Sequence, residues 1–160
     1  MWGNVGSRGE MQRRLLSGTY ECSLDNRFRL AVPARLRDAF AGGATVSWWI
    51  DECLAVVPAL EWDDLVGRTF GDMSPFDETA RDMRRFIIGS ALTNDLDRQG
   101  RIALSAEQRQ HAGIEDTKVR LVGVGDYLEA WDPTRLAARF DKLRREGVSS
   151  HAERLAARVA

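Results

Sequence analysis

The sequence predicts an α+β fold in which one strand-strand-helix-strand-strand-helix unit is used twice. Three observations carry this. A short pattern, aspartate, three residues, then arginine inside a hairpin signal, occurs at Asp25 to Arg29 and again at Asp97 to Arg101, 72 positions further on. The same offset persists past the turn, matching Leu30 to Ile102, Val32 to Leu104, Ala34 to Ala106 and Arg37 to Arg109. Strand-like alternation and helix-like stripes then follow in the same order after both copies. Two copies of a unit this long read as a duplication and not as a solenoid.

Residues 1–15 carry Gly3, Gly6 and Gly9 among polar groups without a sustained period and read as a flexible leader. The first unit is placed at residues 16–69. There Tyr20, Cys22 and Leu24 alternate with Thr19, Glu21 and Ser23 as in a half-buried strand, and Leu30 with Val32 resume the pattern after the turn. Pro33 suits the first turn of a helix, where its missing amide hydrogen costs nothing; Leu36 and Phe40 form the apolar stripe and Gly42-Gly43 end it. Strands are expected at Thr45 to Ile50 and Leu54 to Val57, separated by Asp51-Glu52, before Pro58 opens a helix carrying Leu60, Trp62 and Leu65.

Residues 70–89 are a linker and connecting helix, the helix spanning 76–89 with Asp77 as its cap and Ala80, Met83, Phe86 and Ile87 as its stripe. The second unit, 90–146, repeats the order: a strand to Leu96, a return strand Arg101 to Leu104, and a helix from Ser105 with Gln108 completing a capping box. Strands at Val119 to Val124 and Tyr127 to Trp131 follow, then a helix from Pro133 lined by Leu136, Phe140 and Leu143 and ended by Gly147. Residues 147–160 form a short terminal helix or tail, with a second capping-box pattern at Ser150 and Glu153, too short to be stable without something to pack on.

Composition narrows the function. The longest uncharged apolar runs, Leu54 to Leu60 and Phe86 to Thr93, fall far short of the roughly 18 residues of a membrane span, and the N-terminus lacks a secretory core, so a soluble cytoplasmic protein is expected. Cys22 and Cys53 are too few and too far apart for a disulfide framework and read as buried thiols. His111 and His151 have no partners at metal-ligand spacing, so no metal and no cofactor is expected. The net charge of −1 hides an uneven distribution: successive blocks of forty residues carry +3, −7, +2 and +1. The acidic block, 41–80, would repel phosphate, so a nucleic-acid face has to come from the segments around the two hairpins.

The turn itself has a chemistry. Aspartate at the first position of a type I turn accepts backbone hydrogen bonds, and Gly100 at the fourth tolerates positive φ. With a three-residue tip, Asp25 faces Arg29 and Asp97 faces Arg101, so each carboxylate can hold a guanidinium in one orientation. A carboxylate aimed at phosphate would be repulsive; Asp25, Asp97 and Gly100 therefore orient the hairpins and the arginines make contact, their forks suiting phosphates and base edges. An isolated surface pair of this kind is worth about 0 to 1 kcal/mol and needs no function; two at a matched offset, each followed by a matched arginine, favour one.

The run Gly18-Thr19-Tyr20, Leu24-Asp25, Arg29-Leu30, Val32-Pro33-Ala34 and Leu36-Arg37, with Asp97 to Ile102 and Val122 to Asp132, resembles the MraZ family over about residues 16 to 146. That resemblance implies bacterial transcriptional regulators linked to the division and cell-wall gene cluster. It also implies tandem pseudo-symmetric AbrB-like units with swapped-hairpin β-barrel character. The expected partners are double-stranded DNA at promoter repeats and further copies of the chain in a ring-shaped homo-oligomer, with no membrane and no small-molecule substrate; nucleoid association follows. By position the implied DNA-binding residues are Arg27, Arg29, Arg37, Arg101 and Arg109, to which the turn itself adds Arg98. Two positions depart from the pattern: Phe28 stands where glycine is usual, and Gln99 where a basic residue is frequent.

Trp48, Trp49, Trp62 and Trp131 read as packing residues, Val122 to Gly125 lacks the glycine and helix of a nucleotide loop, and Asp63-Asp64 has no companion nucleophile. No catalytic residue is nominated. The alternative reading is a ring-forming structural or protein-interaction module that does not bind DNA.

Overall fold

The computed structural model describes residues 15–159; the expected leader, apart from Leu15, lies outside the described residues. In order the elements are β1 (Thr19–Ser23), β2 (Arg29–Ala31), a 3-10 helix (Ala34–Phe40), β3 (Ala44–Trp48), β4 (Leu54–Pro58), α1 (Ala59–Phe70), α2 (Glu78–Ile87), β5 (Leu92–Asn94), β6 (Arg101–Ala103), α3 (Ala106–Ala112), β7 (Lys118–Gly123), β8 (Leu128–Trp131), α4 (Pro133–Glu146) and α5 (Val148–Val159). Six strands form one antiparallel sheet in the order β1-β7-β8-β4-β3-β5, while β2 and β6 pair separately as a two-stranded ribbon.

This order reads the same backwards once β1 is exchanged with β5, β3 with β7 and β4 with β8. The first strand of each repeat is therefore swapped onto the other repeat: β1 pairs with β7, with Tyr20 opposite Leu121, and β5 with β3, with Thr93 opposite Thr45. In the ribbon, Leu30 lies opposite Ile102 and Arg29 opposite Ala103.

The central strand β4 is buried on both faces, and its alternation sorts two cores. Leu54 and Val56 join Val46, Leu121 and Leu128 beneath the ribbon, where Leu30, Phe40 and Ile102 close the cluster. Ala55 and Val57 face the other way, toward Leu65 and Phe70 of α1, Ile87 of α2 and Leu136 of α4. The ribbon thus covers one face of the sheet and three helices the other. Glu61, Asp63, Asp64, Asp72, Asp77 and Glu78 fall in α1, α2 and their connection, on the helical side.

Several local expectations are corrected. The segment after Pro33 is a 3-10 helix, with no side-chain cap at its start. Pro58 is at once the last residue of β4 and the N-cap of α1, as a helix opening there requires, whereas β5 stops at Asn94, short of Leu96. Helix α5 starts directly after Gly147, so Ser150 lies inside it and caps nothing. Cys22 is only half-buried, because β1 is an edge strand with a neighbour on one side alone. Burial still pushes its thiol up to about 11, with Arg120 opposing. Capping at Ser105 and Asp77 matches the sequence: Ser105 and Gln108 exchange hydrogen bonds, and the Asp77 carboxylate accepts from the Ala80 amide.

Candidate nucleic-acid interface

Both turns are built alike. The Phe28 amide donates to the Asp25 carbonyl and the Gly100 amide to that of Asp97, at 3.0 and 2.9 Å. The Asp25 Oδ1 accepts from the amides of Arg27 and Arg29, both at 2.9 Å, and the Asp97 Oδ1 from those of Gln99 and Arg101, at 2.9 and 3.0 Å. The other carboxylate oxygen takes the guanidinium: Arg29 Nε to Asp25 and Arg101 Nε to Asp97, both 2.8 Å. One short side chain therefore fixes a whole loop.

Pairing of β2 with β6 sets the turns side by side and links them. Arg101 Nη1 lies 3.1 Å from Asp25 Oδ2, and Arg29 Nη1 lies 3.4 Å from Asp97 Oδ2. Two arginines and two aspartates form a closed, pseudo-symmetric network with side-chain exposures between 22% and 29%. The backbone crosses over as well: the Val32 amide donates to the Gly100 carbonyl at 2.9 Å and the Leu104 amide to that of Phe28 at 3.0 Å. Hydrogen bonds from the Arg29 amide, then the Arg27 amide and the Arg29 guanidinium, hold the Asp25 carboxyl below its usual range against some desolvation. At Asp97 desolvation acts upward and is outweighed by hydrogen bonds from the Arg101 amide, the Arg101 guanidinium and the Gln99 amide, so this carboxyl is low too. Both stay ionised and both hold their arginines.

The six arginines named from the sequence divide three ways. Arg29 and Arg101 are part-buried in the network. Arg27, Arg98 and Arg37 are exposed, the first two on the turns themselves. Arg37 donates from Nε to the Val32 carbonyl at 2.8 Å and lies over Gly100 so closely that a Cβ there would run into its guanidinium. Arg109, the matched residue, covers the opposite turn: its guanidinium carbon sits 3.5 Å from the centroid of the Phe28 ring. Each helix arginine thus lies over the other repeat's turn.

The sequence did not reveal the sharing of each carboxylate between two hairpins, nor the crossing of Arg37 and Arg109. The matched positions 28/100 and 37/109 held the signal, but only the ribbon register shows that they meet across the repeats. The two turns also differ: Phe28 keeps a left-handed φ of +59°, where Gly100 has +74°. Among the described residues there is no cluster of three or more metal-ligating side chains, and no helix is long and apolar enough to cross a membrane.

Two consecutive stretches, residues 15–86 and 87–159, each match the family described as "MraZ protein, putative antitoxin-like". A protein of Thermomicrobium roseum named transcriptional regulator MraZ is 40% identical over 139 residues, covering 87% of this chain and 96% of its own. Proteins of the same name from Mycobacterium avium and Roseiflexus castenholzii are 41% and 35% identical over 118 residues, covering 72% and 74% of this chain and 79% and 81% of theirs. A duplicated match spanning the described chain, with identity at this level across both hairpins, places this protein in the MraZ family.

Proposed function

We propose that the chain is a sequence-specific DNA-binding transcriptional regulator that represses by occupying double-stranded DNA at repeated promoter elements of the division and cell-wall gene cluster. It does so in the cytoplasm, at the nucleoid, as a ring-shaped homo-oligomer and without a cofactor. One observation carries the reading: two turns are locked side by side and offer Arg27 and Arg98, flanked by exposed Arg37, on the ribbon side of the sheet. The names of the relatives support it.

In this reading Asp25 and Asp97 do not approach DNA. They fix Arg29 and Arg101 in a charge-balanced network that holds the turns side by side, while Arg27, Arg98 and Arg37 reach phosphates and base edges. The domain division proposed is 16–69 and 90–146 with 70–89 connecting them. Contacts from one subunit are few, so several hairpin pairs arrayed in a ring would act together on tandem elements through effective concentration.

A mobility shift on the gene's own upstream DNA, titrated with salt, tests this. Wild-type binding weakens steeply as salt rises, and Arg27→Ala with Arg98→Ala lowers the log-log slope by about two for each subunit engaged, roughly one per lost phosphate contact. Arg29→Ala with Arg101→Ala abolishes binding, because it unlinks the two turns and leaves the Asp25 and Asp97 carboxylates unpaired where DNA would sit. Wild-type-like binding by the latter variant would remove the hairpin assignment. No wild-type affinity at low salt favours the structural or protein-interaction module.

A further inference from the structure

We infer that Phe28 contacts DNA directly through a thymine 5-methyl group, with Arg109 as its positioning residue, so that the two turns read DNA by different chemistry. This rests on the DNA-binding reading above and divides labour within it.

Four observations converge on Phe28. Its φ of +59° is a conformation that a bulky side chain adopts at a cost, and the matched Gly100 occupies it without one. Phe28 is 46% exposed, on a turn whose preceding residues, Asn26 and Arg27, are also exposed. Its covered face is taken by a cation, the Arg109 guanidinium carbon at 3.5 Å. Finally, Arg109 Nε is buried without a hydrogen-bond partner among the described residues, whereas Arg37 Nε donates to the Val32 carbonyl. Arg109 lies on the ring and lacks the backbone bond that its counterpart makes.

The surroundings select the ligand. Phe28 and Arg109 share a hollow of about 90 Å³ with Glu115, Asp116 and Thr117. Two carboxylates beside the ring disfavour a phosphate at that flank. What remains for an exposed aromatic on a turn that also carries Arg27 is an apolar group on a base edge. In the major groove the thymine methyl is that group, and phenylalanine is among the side chains that read it. The second turn presents no apolar tip, because Gly100 is buried beneath Arg37. It reads through arginines alone.

The test uses the full chain, the gene's upstream duplex, and the same duplex with every thymine replaced by deoxyuridine. Wild type, Phe28→Gly, Phe28→Leu and Arg109→Ala are compared in salt-titrated binding, with light scattering on each. The expected result is that wild type binds the thymine duplex roughly tenfold more tightly than the uracil duplex. Phe28→Gly binds both duplexes equally, at the level of wild type on uracil, with an unchanged salt slope. Phe28→Leu keeps part of the discrimination. Arg109→Ala loses it and also keeps the salt slope, which a phosphate-contacting arginine would not.

Equal wild-type affinity for both duplexes, or full thymine preference in Phe28→Gly, overturns the inference while leaving the DNA-binding reading intact. A change in particle mass in Phe28→Gly without a change in thymine preference assigns the ring to contact between subunits. Wild type that binds neither duplex at low salt removes both proposals.

Discussion

At positions 28 and 100 the same backbone conformation is met by opposite residue types, and energies at these two sites can be argued separately. Gly100 has φ +74° and lies under Arg37. Gly100→Ala therefore adds a left-handed penalty of about 1–2 kcal/mol and displaces the Arg37 guanidinium, so thermal denaturation is expected to show a lower midpoint. Phe28→Gly removes a comparable strain, about 1–2 kcal/mol. It loses a cation–π contact worth about 0.5–1 kcal/mol and adds backbone freedom to the unfolded chain, about 0.5–1 kcal/mol. These nearly cancel, so its midpoint stays close to wild type; a large fall would show that the ring is structural. Proton linkage can be read residue by residue too. Asp25 and Asp97 are held low, so the stability they contribute is fully present above the unfolded aspartate value of about 3.9 and is lost as pH falls through their folded values. Glu129 runs the other way. Burial raises it, with Asp51 adding to the shift and a hydrogen bond from Trp131 opposing, so its contribution is largest below about 4.3 and declines as pH rises through its folded value. Carbon-13 carboxyl titration is expected to give midpoints for Asp25 and Asp97 below the ordinary aspartate value and for Glu129 above the ordinary glutamate value. An ordinary midpoint at either aspartate would mean that the network does not persist in solution.

Among the elements, the β2–β6 ribbon is the one on which the candidate interface depends. Leu30 and Ile102 face each other across it and are fully buried. Ile102→Ala is expected to cost about 2–5 kcal/mol, measured by chemical denaturation, and also to loosen the register that holds the two turns together. Leu65→Ala, in the core on the other face of the sheet, costs a similar amount but leaves the turns paired. DNA binding at a temperature where both variants are folded should fall only for the first; equal loss would mean that global stability, not the ribbon, supports the site. Much of this was legible in the residues. The alternation of Tyr20, Cys22 and Leu24, the Ser105–Gln108 capping box and the repeated turn identified the elements and their duplication. Strand exchange was not legible locally, because β1 would satisfy its alternation equally well against either half; the resemblance alone implied it. The type of helix after Pro33 was not legible either, for a different reason. Leu36 and Phe40 have helical spacing, yet no side chain caps the segment and the Leu36 and Ala41 amides bond three residues back, to Pro33 and Asp38. Helix α3, with the same spacing, has both a capping box and the left-handed Gly113 at its end.

The whole molecule has a pseudo-twofold arrangement with two unlike sides: the ribbon, with its arginine-bearing turns and ion-pair network, on one face of the sheet, and the helices α1, α2 and α4 on the other. Its C-terminal elements do not follow that economy. Helix α5 has no buried residue, and Val148, Leu155 and Val159 are exposed on it, with Phe140 exposed on α4. A twelve-residue helix gains little from propensity alone, so an apolar face of this kind is accounted for if another copy covers it, as the proposed ring requires. Leu155→Glu with Val159→Glu places two charges on that face without touching either core. Light scattering is expected to show a smaller particle, while circular dichroism retains the sheet. The functional consequence separates assembly from recognition. A single promoter element engages one hairpin pair, so its affinity for the variant should be near that for wild type. A tandem-element probe engages several at once, and loss of the ring should weaken its binding by roughly a hundredfold or more. If the particle keeps its mass, the terminal helix is not the assembly surface. If the mass falls and tandem binding does not, each subunit recognises DNA independently and effective concentration has no part in its affinity.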